Sequence, residues 1–275
     1  MLTPETAGTK QPCGLFDLMS RSAGIAVLHP GGHDATKRLC TMMQISRGHR
    51  VLDLACGQGR TSMFLHKTYG CDVTGIDKSE ELIAKAKQAL PAALAPSVRF
   101  ETGDALHLPF PDASFDRVIA QDFFILIDDM DQALAEIHRV LKPGGVFGAI
   151  ELSWIGVPSK KAYNELVDNT CSTLIPRVKP AEGWEQFFMS KPFHLAASEH
   201  EPMPSGLLQM VRAEGFMNSV KIMGRMIANR AIRKKTMTVQ RTFSKFANFL
   251  GYGLFALEKK RQEVPCFQLK STGKY

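Results

Sequence analysis

The chain has 275 residues, 44% hydrophobic and 22% charged, which is ordinary globular composition and enough material for one large domain. No apolar run approaches the ~20 residues of a membrane span, and MLTPETAGTK lacks the apolar core of a signal peptide, so a cytoplasmic location is expected. Six scattered cysteines form no CxxC pair and the net charge is +7, which excludes a zinc ribbon and a disulfide scaffold.

Residues 1–14 read as a polar tail and Leu15 to Leu28 as short helices. The turn His29-Pro30-Gly31-Gly32-His33 leads into a helix over 35–45. From there apolar strands and amphipathic helices alternate, as in a parallel α/β sheet. Strands are predicted at 50–54, 72–77, 98–101, 115–121 and 146–152, and helices at 60–69, 79–90 and 131–141. Residues 153–205, rich in Pro and aromatics, are too long for a bare loop and are predicted to form a helical cap. Beyond it, helix is expected at 206–214, a sixth strand at 220–226, a helix across 229–250 and a last strand at 251–258. Residues 1–28 are thus a tail with lid helices, and 29–275 a single domain with two insertions, at 153–205 and 229–250.

The strongest chemical signal is Val51-Leu52-Asp53-Leu54-Ala55-Cys56-Gly57-Gln58-Gly59-Arg60. An apolar strand enters a glycine turn that opens a helix, which presents free backbone N–H groups to a ligand. The second strand ends in Asp77, where a carboxylate can accept both hydroxyls of a ribose. The third ends at Asp104-Ala105, and the fourth at Gln121-Asp122. All four tips lie at carboxyl ends of parallel strands, where open α/β sheets bind ligands. A dehydrogenase fingerprint would require glycine at position 62, which is Ser62.

VLDLACGQGR (51–60), VTGIDKSEELIAKAK (73–87), GDALHLPFPDASFDRVIAQD (103–122) and EIHRVLKPGGVF (136–147) resemble the class I methyltransferases that use S-adenosylmethionine (SAM). The likeness is to the small-molecule group that includes the quinone, sterol and sarcosine enzymes. It is close over 29–152 and fits the remainder in outline. It implies a Rossmann-like α/β fold with a seven-stranded sheet in the order 3-2-1-4-5-7-6. It also implies methyl transfer from SAM to a small organic acceptor, giving S-adenosylhomocysteine. Carried over by residue, Asp53, Ala55, Gly57 and Gly59 would line the methionine portion and Asp77 the ribose. Lys78, Asp104 and Ala105 would lie at the adenine, Gln121 near the methionine end, and Pro30, Gly31 and Gly32 in a turn closing over the cofactor. No metal is implied.

No general base is evident; His33, Asp122 and His194 are the candidates. Gln121-Asp122-Phe123-Phe124 lacks the Pro-Pro turn of nucleic-acid amino methyltransferases, so no nucleic-acid partner is expected. Two alternatives stand: a lipid or quinone methyltransferase working at a membrane surface, and a SAM-binding protein without catalysis. From Gly215 to Leu257 there is no acidic residue but eight Lys and Arg. This basic stretch reads as a solvated face, as a contact with an anionic membrane through 229–250 that brings Phe243, Phe246 and Phe249 near lipid, or as a wall of the acceptor site. A homodimer contact is a further option. The aromatics Trp154, Tyr163, Trp184, Phe187, Phe188 and Phe193 either line the acceptor pocket or form the cap's own core.

Overall fold

The computed structural model describes residues 29–169, 174–203 and 216–261. The helices expected at 15–28 and 206–214 lie outside the described residues.

The order is α1 (Gly32–Met42), β1 (Arg50–Leu54), α2 (Arg60–Tyr69), β2 (Asp72–Asp77), α3 (Glu80–Ala89), β3 (Val98–Thr102), β4 (Phe115–Gln121), α4 (Met130–Val140) and β5 (Leu141–Trp154). There follow α5 (Lys160–Asn169), α6 (Ala181–Phe188), β6 (Phe193–Pro202), α7 (Phe216–Ala228), α8 (Arg230–Lys245) and β7 (Leu250–Lys259). The sheet runs β3-β2-β1-β4-β5-β7-β6, and a two-residue strand, Lys179–Pro180, pairs with the end of β5. Strands β1 to β5 are parallel, while β7 is antiparallel to both β5 and β6.

Both sheet faces are buried, which is why β1 and β4 carry apolar residues at consecutive positions, Val51-Leu52 and Val118-Ile119-Ala120, rather than alternating ones. On one face Leu52, Val118 and Phe147 pack against α4 and α6; on the other Val51, Ile119 and Ile150 pack against α1, α2 and α3. Glycine is required where helices come closest to the sheet. A Cβ on Gly148 would lie 2.1 Å from the Met43 sulfur. The helix starts follow capping chemistry: the Ser79 hydroxyl accepts from the Leu82 N–H, and Asp129 Oδ1 accepts from the Gln132 N–H.

Two expectations are corrected. Residues 220–226 are helix, within α7, and not the sixth strand. The place beside β7 is taken by Phe193–Pro202, inside the segment read as cap. VKIMGRM permits either periodicity. Phe193 to Pro202 hides its strand character because it is an edge strand, half-exposed along most of its length and rich in polar residues. The second correction concerns the cap aromatics. Trp184, Phe188 and Phe193 are buried in the main core, where Trp184 stacks on Phe188 and its Nε1 donates to the Leu152 carbonyl at 2.8 Å. Tyr163 instead packs with Leu166, Ile175 and Phe246 in a small cluster under α5 and α8, and Trp154 bridges that cluster and the main core.

Candidate cofactor and acceptor site

The carboxyl ends of β1, β2 and β4, with the turn before α1, converge as the sequence predicted. At the end of β1 the backbone is bent left-handed three times, at Ala55 (φ 57°), Gly57 (φ 54°) and Gly59 (φ 75°). The Gly57 N–H donates to Asp77 Oδ2 at 2.9 Å, and the Ser79 N–H to Asp77 Oδ1 at 2.9 Å. One carboxylate thus pins the glycine turn to the end of β2. Each oxygen keeps a lone pair for an outside donor.

The two glycines differ in what they make room for. A Cβ on Gly57 would meet nothing within 4 Å, so the space beside it is open. A Cβ on Gly59 would lie 2.3 Å from the Phe100 ring, so Gly59 serves close packing of α2 on β3 and shapes the turn from behind. Ser62, where a dehydrogenase would carry glycine, donates through Oγ to Asp53 Oδ2 at 2.5 Å. Asp53 is 3% exposed, and burial pushes its carboxyl up to about 7 despite that hydrogen bond.

At the tips of β2 and β3, Lys78 Nζ lies 3.5 Å from Asp104 Oδ2, and Asp104 Oδ1 accepts from the Leu106 N–H at 3.0 Å. That backbone hydrogen bond, with Lys78 beside it, holds the Asp104 carboxyl below its ordinary range. Ala105, half-buried, packs against the adjoining core.

Gln121, at the tip of β4, joins three elements. Its Oε1 accepts from Thr61 Oγ1 on α2, and its Nε2 donates to Thr36 Oγ1 on α1, both at 2.9 Å. The Thr36 hydroxyl lies 3.2 Å from His29 Nε2 and 3.3 Å from the Gly32 carbonyl, so the Pro30-Gly31-Gly32 turn is tied to the strand tips. Burial lowers the His29 imidazole to about 4, which keeps it neutral and able to accept. Gly31 is left-handed (φ 74°), and a Cβ there would strike the Tyr252 hydroxyl of β7 at 2.6 Å.

Beyond Gln121 the chain makes another left-handed step at Asp122 (φ 54°). Glu151, fully buried in β5, accepts through Oε1 from the N–H groups of Phe123 and Phe124, both at 2.9 Å. Asp122 Oδ1 and Glu151 Oε2 are buried without hydrogen-bond partners among the described residues. Burial pushes Asp122 up to about 7. Burial and the Asp122 charge raise Glu151 well above the carboxylate range. Two carboxyls so placed cannot both ionise readily, and the pair retains a proton at neutral pH.

The three base candidates fare differently. Asp122 sits at the strand tips. His33 lies against the Phe64 ring of α2, with centroids 5.4 Å apart. His194 is exposed and pairs with Glu258, which pairs in turn with Val146 at the amino end of β5. The structure therefore places His194 at the far end of the sheet from the glycine turn. Sequence reasoning passed over Glu151, whose one signal is a lone charge inside the apolar run Val146–Leu152. It also passed over Thr36, Thr61 and Ser62, hydroxyls that look like any others on helix surfaces.

A family model described as a methyltransferase domain matches residues 51–145. An uncharacterized protein of Haemophilus influenzae is 30% identical over 202 residues, 71% of this chain and 78% of that one. A demethylmenaquinone methyltransferase of Listeria welshimeri is 34% identical over 131 residues, 46% of this chain, and the match spans 56% of that enzyme's length. Among solved structures, a SAM-dependent methyltransferase from Thiobacillus denitrificans in complex with S-adenosyl-L-homocysteine superposes with a TM-score of 0.69 at 20% identity, over 89% of this chain and 98% of that one. The strand order, the glycine turn held by Asp77 and these likenesses agree: the chain belongs to the class I SAM-dependent methyltransferases.

Proposed function

We propose that the protein transfers a methyl group from SAM to a small organic acceptor held at the tips of β4 and β5. The observation that carries this reading is the bend at Ala55–Gly57, open to a ligand beside Gly57 and locked from behind by Asp77. Those residues fit the group. The spare lone pairs of Asp77 suit ribose hydroxyls, and the Lys78–Asp104 edge suits adenine, with Ala105 beneath. Asp53 offers a buried carboxylate to the cationic methionine end. Ala55 and Gly57 supply the backbone around it, Gln121 adds amide groups there, and Pro30, Gly31 and Gly32 cover it. Gly59 shapes the turn from behind, where it packs on Phe100. Bound there, SAM supplies a methyl group on a sulfonium, already an excellent leaving group.

The chain's own task is to align the acceptor and exclude water. Where the acceptor must lose a proton, the ionised member of the Asp122–Glu151 pair receives it, and the pair's single negative charge is neutralised. The half-buried Trp154 and Tyr163 give the cap between β5 and β6 an apolar side near these tips. A quinone or lipid acceptor is the second reading, favoured by what the Listeria relative's name says it methylates. The test is transfer of label from methyl-labelled SAM into small molecules of a cell extract. Labelled product with release of S-adenosylhomocysteine is expected. SAM binding without turnover in any extract would reduce the protein to a SAM-binding module.

Asp53 sets a pH signature for cofactor binding. Its folded carboxyl titrates at about 7, above the ordinary value, so the free protein holds it neutral in mild acid. A cationic ligand favours the ionised form, so SAM binding releases a proton below pH 7. Affinity rises about tenfold per pH unit toward 7 and levels off above it. Calorimetry in buffers of different ionisation enthalpy measures that proton. A pH-independent affinity from 5.5 to 8, with no proton released, would remove Asp53 from the cation's surroundings.

A further inference from the structure

In the segment between β6 and β7 an apolar stripe is exposed among the described residues. Helix α7 packs on α8, and α8 on α5, where Phe246 is buried against Leu166 and Ile175 and Lys245 pairs with Glu165. The phenylalanines near the end of the basic helix therefore do not all face outward: Phe246 is an anchor, and Phe249 is half-buried. Of the four large apolar side chains exposed on these two helices among the described residues, three lie on α7 and one, Met237, on α8. Ser219 and Ile222 point inward, both buried, while Val220, Met223 and Ile227 are 52%, 38% and 69% exposed. Their spacing, i, i+3 and i+7, sets them on one stripe about 10 Å long.

The charges around the stripe have one sign. Lys221 and Arg225 on α7, and Arg230, Arg233, Lys234 and Arg241 on α8, are all exposed. No acidic residue occurs between Gly215 and Leu257. Among the described residues none of these six cations has an ion-pair partner. A solvated face would mix signs and would not align three large apolar side chains. An acidic protein surface would match the cations but would need a shaped apolar socket for Val220, Met223 and Ile227. A bilayer of anionic lipid offers fluid apolar depth beneath a sheet of phosphate oxygens, which matches both features. Thirteen residues are too few to span, and no described helix is long and apolar enough to cross a membrane.

We infer that α7 lies in the surface plane of an anionic bilayer, with Val220, Met223 and Ile227 among the acyl chains and the cations of α7 and α8 on the headgroup phosphates. This docking is independent of the transfer reaction. The full chain is sedimented with vesicles of phosphatidylcholine alone and of phosphatidylcholine with phosphatidylglycerol, at low and high salt. Binding to the anionic vesicles only is expected, weakened but not abolished by salt. Ile227→Asp, at an exposed position, should lower the partition coefficient by about tenfold or more. Arg233→Ala and Lys234→Ala should each lower it by about fivefold. S-adenosylhomocysteine binding unchanged in all three variants shows that they are folded. Four results would overturn the inference. One is absence of binding, or equal binding to both vesicles. A second is full retention of binding by Ile227→Asp, which marks a purely electrostatic face suited to an acidic protein. A third is a dimer in light scattering that Ile227→Asp dissociates, which assigns the stripe to a second copy. The fourth is strong amide-exchange protection of exposed α7 positions without vesicles, which assigns it to another part of this chain.

Discussion

Asp77→Asn lowers affinity for S-adenosylhomocysteine by about a hundredfold, measured by calorimetry, and Asp77→Ala lowers it further. The carboxylate accepts the Gly57 and Ser79 N–H groups on separate oxygens. An amide keeps one acceptor and turns the other position into a donor, which faces an N–H and repels it. Charge-assisted hydrogen bonds contribute about 1.5–3 kcal/mol each, so losing one in the turn and one to a ribose hydroxyl accounts for the estimate. The turn also loosens, because the Gly57 N–H has no other partner among the described residues and the bend is left to the Gly59 N–H bond to the Cys56 carbonyl. An Asp77→Ala protein that binds the nucleoside as tightly as the wild type would refute the placement of the cofactor.

Glu151→Ala unfolds the domain's acceptor end, at a cost of about 3 kcal/mol or more, because it strands the Phe123 and Phe124 N–H groups in a dry interior. Glu151→Gln retains the accepting oxygen and restores most of that loss in a denaturant titration at neutral pH. The pH dependence separates the two functions of the pair. In the wild type, Asp122 and Glu151 titrate above their ordinary values, so their contribution is complete below about pH 4. Asp122's part is lost as pH rises through about 7 and Glu151's as pH rises through its own raised value, since ionisation is free in the unfolded chain and opposed in the folded one. Glu151→Gln removes the neighbouring charge and one titrating group, so stability falls less steeply across that window. If the pair also takes up the acceptor's proton, the same variant lowers kcat and moves its pH profile with little change in KM for SAM. Identical profiles for wild type and Glu151→Gln would leave Glu151 as an acceptor of backbone hydrogen bonds and nothing more.

The sheet, the glycine turn and its acidic neighbours were readable because each rests on local chemistry. Asp53, Gly57, Asp77, Asp104 and Gln121 lie at strand ends that the apolar runs and helix caps mark directly, and parallel topology brings such ends together. Edge structure was not readable. Val220–Met226 alternates like a strand but folds as α7, because the partner that completes β7's hydrogen bonds is Phe193–Pro202, far away in sequence. Which of two segments wins an edge is decided by pairing across the sheet, where local periodicity carries little weight.

Residues 50–152 by themselves determined a parallel α/β sheet with acidic residues at its strand tips, since period, glycine and capping are written in neighbouring residues; the order of the strands followed only from the family resemblance. Only the tertiary structure decided that Gly59 answers to Phe100 while Gly57 answers to open space, and that Gln121 binds the lid turn to the strand tips. It alone paired Asp122 with Glu151 and sent Trp184 into the core. Each of these is a contact between residues remote along the chain, fixed by the close packing of helices on two sheet faces, and no spacing in the sequence encodes it.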